Sequence, residues 1–184
     1  MTFSLRAATL NDVPRLTEIY RESVLNGTAT YELEPPSEDE MRNRVRNITR
    51  QGYPYLVAQN PDGHILGYAY ANAFRTRPAY RWLVEDSIYL APEARGLGIG
   101  KALLTELLAL CTERGFRQMV AVIGGASPAS IAVHQSCGFE HGGVMKATGF
   151  KLGQWLDTVI MQIALGEGAK TNPDLSTYPA TMPD

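Results

Sequence analysis

The chain has 184 residues, 45% of them hydrophobic and 20% charged, which suits one globular domain with its own core and leaves little room for a second. Its 17 basic and 19 acidic side chains give a net charge of −2, which argues against a general nucleic-acid binder but allows one local basic pocket for a small anion. No apolar run approaches the roughly 18 residues of a membrane span, the N-terminus lacks a secretory pattern, and the two cysteines, Cys111 and Cys137, fit neither a disulfide framework nor a metal cluster, so a reducing, cytoplasmic setting without a metal is expected.

In chain order, Phe3 to Ala7 reads as a first strand. Thr9 to Asp12 supplies capping side chains for a helix whose apolar stripe is Leu16, Ile19, Tyr20 and Val24, with Pro14 near its start and Gly27 at its end. Thr28 to Glu34 is a loop that carries Tyr31. Ser37 to Glu40 forms a capping box, and Met41, Val45 and Ile48 mark a second helix closed by Gly52. Tyr55 to Gln59 and Ile65 to Ala73 read as strands joined by the turn Asn60-Pro61-Asp62-Gly63. A polar loop from Arg75 to Tyr80 leads into a strand from Trp82 to Leu90. Ile99, Leu103, Leu104, Leu107, Leu108 and Cys111 form the broad apolar face of a third helix, which ends at Gly115. Met119 to Ile123 is an almost wholly apolar strand, as expected of one buried on both faces. Ser127-Pro128 opens a fourth helix that stops at Gly138. Phe139 to Met145 and Trp155 to Leu165 are predicted as two closing strands around Lys151-Leu152-Gly153-Gln154.

After Gly166 the apolar residues thin out and Pro173, Pro179 and Pro183 appear, so the predicted domain is 1–166, with 167–184 a loosely packed or flexible tail. The order β-α-α-β-β-β-α-β-α-β-β predicts an α/β (α+β) domain whose sheet is mostly antiparallel with one parallel step in the middle.

The sharpest local signal is Arg95-Gly96-Leu97-Gly98-Ile99-Gly100-Lys101, between an apolar strand and an amphipathic helix. Glycines let the backbone turn consecutive N–H groups towards a ligand, and the positive end of the next helix adds to them, so a pyrophosphate would fit. A tight strand-to-helix turn needs similar glycines. Two nucleotide motifs fail on detail. A dinucleotide fingerprint belongs near the first strand with an acid at the end of the next one, and Met119 to Ile123 has none. A phosphate-binding Gly-Lys-Ser/Thr loop fails because Ala102 follows Lys101.

Arg95-x-x-Gly98-x-Gly100 resembles the acetyl-CoA pyrophosphate loop of the GNAT N-acetyltransferase superfamily, and the element order agrees from about Phe3 to Leu165. Five further stretches are similar to its phosphinothricin and methionine sulfone/sulfoximine acetyltransferase group. They are Thr28-Ala29-Thr30-Tyr31, Tyr80-Arg81-Trp82, the run from Val84 to Leu90, the segment from Ser130 to His134 with Gly138-Phe139, and Gly149-Phe150-Lys151-x-Gly153-x-Trp155-x-Asp157.

The resemblance implies the GNAT fold, a mixed, mostly antiparallel sheet flanked by helices, and direct transfer of acetyl from acetyl-CoA to the α-amine of a small amino-acid-like acceptor. It puts Glu85 at the catalytic centre as the base and His134 beside it as a second proton-handling group. It puts Ile88, Tyr89 and Leu90 against the acetyl and pantetheine portion, and Gly96, Leu97, Gly98, Ile99, Gly100 and Lys101, with Arg95, around the pyrophosphate. Ser127 stands where many members carry a pantetheine-binding Asn and also reads as a plain helix N-cap; Ser136 is a weaker candidate on the cofactor side. For the acceptor, Arg75, Thr76 and Arg77 resemble the substrate loop, where an arginine fork suits a carboxylate; Glu85, Asp86 and Ser87 line the strand, and Tyr31 walls the side-chain pocket. Phe150, Lys151 and Trp155 match a strand turn near a homodimer interface. A Cys137–His134 nucleophile is set aside, because apolar helix cysteines are usually inert and this chemistry needs no covalent intermediate. The remaining alternatives are another amine, a protein N-terminus, or a non-catalytic acyl-CoA-binding module, which would have no need of Glu85.

Overall fold

A computed structural model describes residues 2–181. Four helices pack on a seven-stranded sheet of order β1-β2-β3-β4-β5-β7-β6. The strands are β1 Ser4–Ala7, β2 Tyr55–Gln59, β3 Ile65–Ala73, β4 Leu83–Leu90, β5 Gln118–Gly124, β6 Glu140–Lys151 and β7 Gln154–Ala164. The helices are α1 Val13–Asn26, α2 Glu38–Arg50, α3 Ile99–Glu113 and α4 Pro128–Ser136. Among the described residues no helix is long and apolar enough to cross a membrane.

The helix starts follow their capping chemistry. Asp12 accepts from the Thr9 N–H at 2.7 Å and pairs with Arg6 at 2.7 Å, fixing the turn that enters α1. Ser37 caps α2 by accepting from the Glu40 N–H at 3.2 Å. The first three helices bury apolar stripes, Leu16, Ile19 and Val24 of α1, Met41 and Val45 of α2, and Leu103, Leu104 and Leu107 of α3, whereas the buried residue of α4 is His134. Removing these side chains from water supplies most of the stabilisation.

Every neighbouring pair of strands is antiparallel except β4 and β5, the one parallel step. That pairing covers Leu83–Gln118, Val84–Met119 and Glu85–Val120 and then stops. Beyond it β4 stays paired with β3 as far as Leu90, and β5 stays paired with β7 as far as Gly124. The sheet therefore splits into two wings that diverge from Glu85.

Strand alternation decides what each face of β4 offers. Tyr89 packs edge-on against Tyr20 of α1, so Glu85, Ser87 and Tyr89 face α1 and α2. Leu90 lies over Gly100 of α3, so Asp86, Ile88 and Leu90 face α3 and α4.

The predicted and observed boundaries agree within a residue or two, except in β6. That strand runs on to Lys151 rather than stopping near Met145, past a register shift between Met145 and Gly149 where Ala147 takes a positive φ of 50°. Beyond Gly166 the described chain has no helix or strand, yet it touches the domain. Tyr178 lies beside Trp82 and under the Arg81 guanidinium, and the Thr181 N–H donates to the Gln51 carbonyl at 2.8 Å. Residues 182–184 of the predicted tail lie outside the described residues.

The loop between α1 and α2 is pressed onto the end of β5. A Cβ added at Gly124 would stand 2.6 Å from the Thr28 carbonyl oxygen, a backbone atom that cannot swing away. Gly124→Ala is expected to cost about 1–3 kcal/mol, the usual range for overpacking, read as a lower urea midpoint with an unchanged slope.

Candidate active site

Two clefts meet where the wings part. The first, about 250 Å³, is lined by Glu85, Asp86, Ser87, Ile88 and Tyr89 of β4, by Ala121 to Gly124 of β5, and by Thr30, Tyr31, Thr158 and His134. The second, about 410 Å³, runs between the end of α1, the residues Arg95, Gly96 and Gly100, and α4. Ala29, Ile88, Tyr89, Ser127, Ser130 and His134 line both.

Glu85 sits at the apex. Burial pushes its carboxyl up to about 7, the charge of Asp86 acts in the same direction, and Arg75 partly opposes them. On the opposite face of β4, Asp86 and His134 form a buried pair, with side chains 2% and 5% exposed. His134 Nδ1 lies 2.7 Å from the Ser130 carbonyl and so carries the proton it donates there, while Nε2 lies 3.0 Å from Asp86 Oδ2. Burial opposes the charged imidazole, but the hydrogen bond and charge of Asp86 and the Ser130 carbonyl together hold its pKa above the ordinary value. Both ring nitrogens thus face oxygen acceptors, an arrangement that favours the protonated ring. Asp86 Oδ1 is buried and has no partner.

Tyr31 closes the first cleft. Its hydroxyl bonds to Thr158 Oγ1 at 2.7 Å, donates to the Asp157 carbonyl at 3.2 Å and accepts from the Gly125 N–H at 3.2 Å.

The glycine-rich turn runs into α3 through Gly98, the N-cap residue, whose φ of 79° lies in the left-handed region that favours glycine. A Cβ at Gly96 or Gly98 would meet nothing within 4 Å, so this cradle is open above a 15-residue helix whose first N–H groups face outward. Such a turn beside a long cleft fits the diphosphate and pantetheine arm of acetyl-CoA.

The remaining predicted residues scatter. Arg95 is tied to Glu22 at 2.5 Å, Leu97 and Lys101 are exposed, and Ile99 is buried core. Ser127 accepts from the Ser130 N–H at 3.4 Å as an N-cap while also lining both clefts. Ser136 donates to the Val133 carbonyl at 2.8 Å and lines neither cleft. Arg75, Thr76 and Arg77 are exposed and stand outside both linings, with Arg75 resting on Phe74.

Sequence reasoning missed Thr158, which bonds Tyr31, as well as Glu22 and Asn26 at the end of α1, which line the second cleft. No local pattern marks them; only the packing of loop and helix against the split sheet brings them in.

A family model described as an acetyltransferase (GNAT) domain matches residues 5–160. The chain belongs to the GNAT acetyltransferase family. It is 45% identical over 172 residues to a phosphinothricin N-acetyltransferase of Alcaligenes faecalis, covering 93% of this chain and 87% of that one. It is 38% identical over 165 residues to an L-methionine sulfoximine/L-methionine sulfone acetyltransferase of Pseudomonas aeruginosa, covering 90% and 96%. A crystal structure of a GNAT superfamily phosphinothricin acetyltransferase from Sinorhizobium meliloti in complex with AcCoA superimposes with a TM-score of 0.96 at 64% identity, covering 99% of this chain and 98% of that one.

The raised Glu85 value makes this acetyltransferase's stability depend on pH. Between the ordinary value of 4.5 and about 7 the folded chain holds a proton that the unfolded chain releases, so this group's contribution falls as pH rises and is least favourable above 7. Glu85→Gln is therefore expected to gain stability over the parent at pH 8 and to lose that advantage at pH 4. Equal differences at both pH values in urea titrations would show that the carboxyl is not raised.

Proposed function

We propose that this acetyltransferase transfers the acetyl group of acetyl-CoA directly to the α-amine of a small amino-acid-like acceptor of the phosphinothricin, methionine sulfoximine or methionine sulfone type. The observation that carries the reading is Glu85, a carboxyl with a pKa near 7 at the apex of a split sheet where two clefts join. A base poised near neutrality removes the proton that keeps an amine from attacking. The nitrogen then bonds to the thioester carbonyl carbon, the carbon–sulfur bond breaks, and the leaving sulfur takes up a proton. The acetyl-CoA arm lies along the second cleft with its diphosphate at the turn from Gly96 to Lys101. The acceptor occupies the first cleft, whose roughly 250 Å³ suits an amino acid better than a peptide. Tyr31 is its wall, Asp86 and Ser87 lie beside it on β4, and in the exposed loop outside the cleft Arg75 is the cation whose charge acts on Glu85. His134 holds Asp86 in place through the contact of its Nε2 with Asp86 Oδ2. The names of the relatives support this acceptor class.

With acetyl-CoA and methionine sulfoximine, we expect thiol release whose kcat/KM climbs with pH through about 7, because the deprotonated form of Glu85 does the work. Glu85→Gln should lower kcat by about 10²–10⁴ and leave acetyl-CoA binding within about twofold, since that ligand lies along the other cleft. Acetyl-CoA binding with no thiol release on any of a panel of amino acids, amines and peptides would reduce the protein to a binding module. Release on a peptide N-terminus alone would replace the acceptor class.

We also infer a cytoplasmic homodimer. Both cysteines are free thiols, as suits a reducing compartment. The tip of the β6–β7 hairpin presents Phe150 and Trp155 at 56% and 68% exposure, stacked edge to face, with Leu152 between them in sequence at 57%. A contiguous aromatic surface of this kind is a typical association site. Sedimentation is expected to give twice the chain mass for the parent and a shift towards the chain mass for the double variant Phe150→Ala, Trp155→Ala. A parent that sediments as a single chain at all concentrations would sink the dimer.

A further inference from the structure

Lys151 is a cation on the inner side of a hairpin whose aromatics point out. It is the last residue of β6 and pairs with Gln154 across the turn formed by Leu152 and Gly153, which have φ of 52° and 75°. Lys151 is only 4% exposed, although lysine ordinarily takes the solvent face. Burial pulls its pKa down, and the nearby charge of Glu32 partly restores it. Its Nζ donates to the Thr30 carbonyl at 2.7 Å.

That carbonyl belongs to the loop that walls the acceptor cleft. Thr30 is anchored a second time by its Oγ1, 2.9 Å from the Tyr20 hydroxyl, and the next residue is Tyr31, held by Thr158, Asp157 and Gly125. Of these anchors, the one from Lys151 is charge-assisted, and such bonds are roughly twice as strong as neutral ones. Thr30 and Tyr31 line the first cleft and not the second. A change at Lys151 therefore reaches the acceptor side first.

We propose that Lys151 is a positioning residue for the acceptor: by holding the Thr30 carbonyl it sets the wall made by Thr30 and Tyr31, and with it the acceptors that the cleft accepts. The proposal rests on the acetyltransferase reading above and names the device that shapes its acceptor site. It also ties that wall to the hairpin whose outer face is the inferred dimer contact.

The test compares Lys151→Met, which keeps the stem and removes the donor, with Lys151→Gln, which keeps an uncharged donor. For Lys151→Met we expect the KM for methionine sulfoximine to rise about tenfold or more, as losing a charged hydrogen bond does, with the KM for acetyl-CoA within about twofold. Lys151→Gln should recover a substantial part of the loss. Amide hydrogen exchange, which needs no turnover, should quicken at residues 28–32 of Lys151→Met while the core helices stay protected. That readout judges Lys151 even if methionine sulfoximine proves not to be an acceptor, a result that would count against the function and not against the positioning. Equal losses for both substrates, no recovery with Gln, or unchanged exchange at residues 28–32 would overturn the proposal. If Lys151→Met does not fold, Lys151→Gln alone decides: its acceptor KM must rise more than its acetyl-CoA KM, and exchange must quicken at the loop.

Discussion

The pairing of β4 with β5 ends after Glu85 and Val120, and the rest of the molecule is arranged around that point. Each strand keeps its outer partner, β3 or β7, so the sheet remains hydrogen-bonded while its centre opens. An open centre leaves backbone and side chains of both strands free to face a ligand, in the interior of the fold rather than at its rim. The parallel step is what permits it. The crossover from β4 to β5 passes through α3, so the glycine-rich turn that starts α3 arrives next to the opening. The glycine-rich turn and the opening beside it are thus consequences of one connection.

The charges buried near the opening are divided by the alternation of β4. Glu85 faces the side of α1 and α2, where burial holds its carboxyl close to neutrality. Asp86, the next residue, faces α4 and meets His134. Two adjacent carboxyls on one strand would repel if both were ionised on one face. Placed on opposite faces, one is paired with His134, whose pKa lies above its ordinary value, and the other is raised by burial and, in smaller part, by its neighbour's charge. Environment, not residue type, separates their behaviour. Lys151 extends the pattern to the loop that carries Thr30, where a buried cation is tolerated because a backbone carbonyl accepts a hydrogen bond from it.

Much of this was legible in the sequence. Helix starts were marked by Asp12, Ser37 and Ser127, strands by their apolar runs, and the turn before α3 by glycines that no regular element tolerates well. The long β6 was harder to read, because its second half, from Met145 to Lys151, is mostly exposed and kinked at Ala147, and an exposed edge strand leaves only a weak alternation signal. Of the residues that line the first cleft, Glu85, Asp86, Ser87 and Tyr31 were singled out because each lies in a recognisable stretch. Thr158, Glu22 and Asn26 were not, since a residue that serves only by standing opposite another element carries no local mark.

By itself, then, the sequence determined the order of elements, the single parallel step, and the presence of a glycine-rich turn ahead of α3, because periodicity, capping and glycine placement act over a few residues. The net charge of −2 argued against a broad basic surface but was silent about that turn, whose backbone N–H groups carry no formal charge. Only the tertiary structure decided how far β4 and β5 stay paired, which face of β4 each carboxyl takes, and that Lys151 turns inward while Phe150 and Trp155 turn out. These are properties of register and packing between segments as much as 121 residues apart, the separation of Lys151 from Thr30. No window along the chain contains both ends of such a contact.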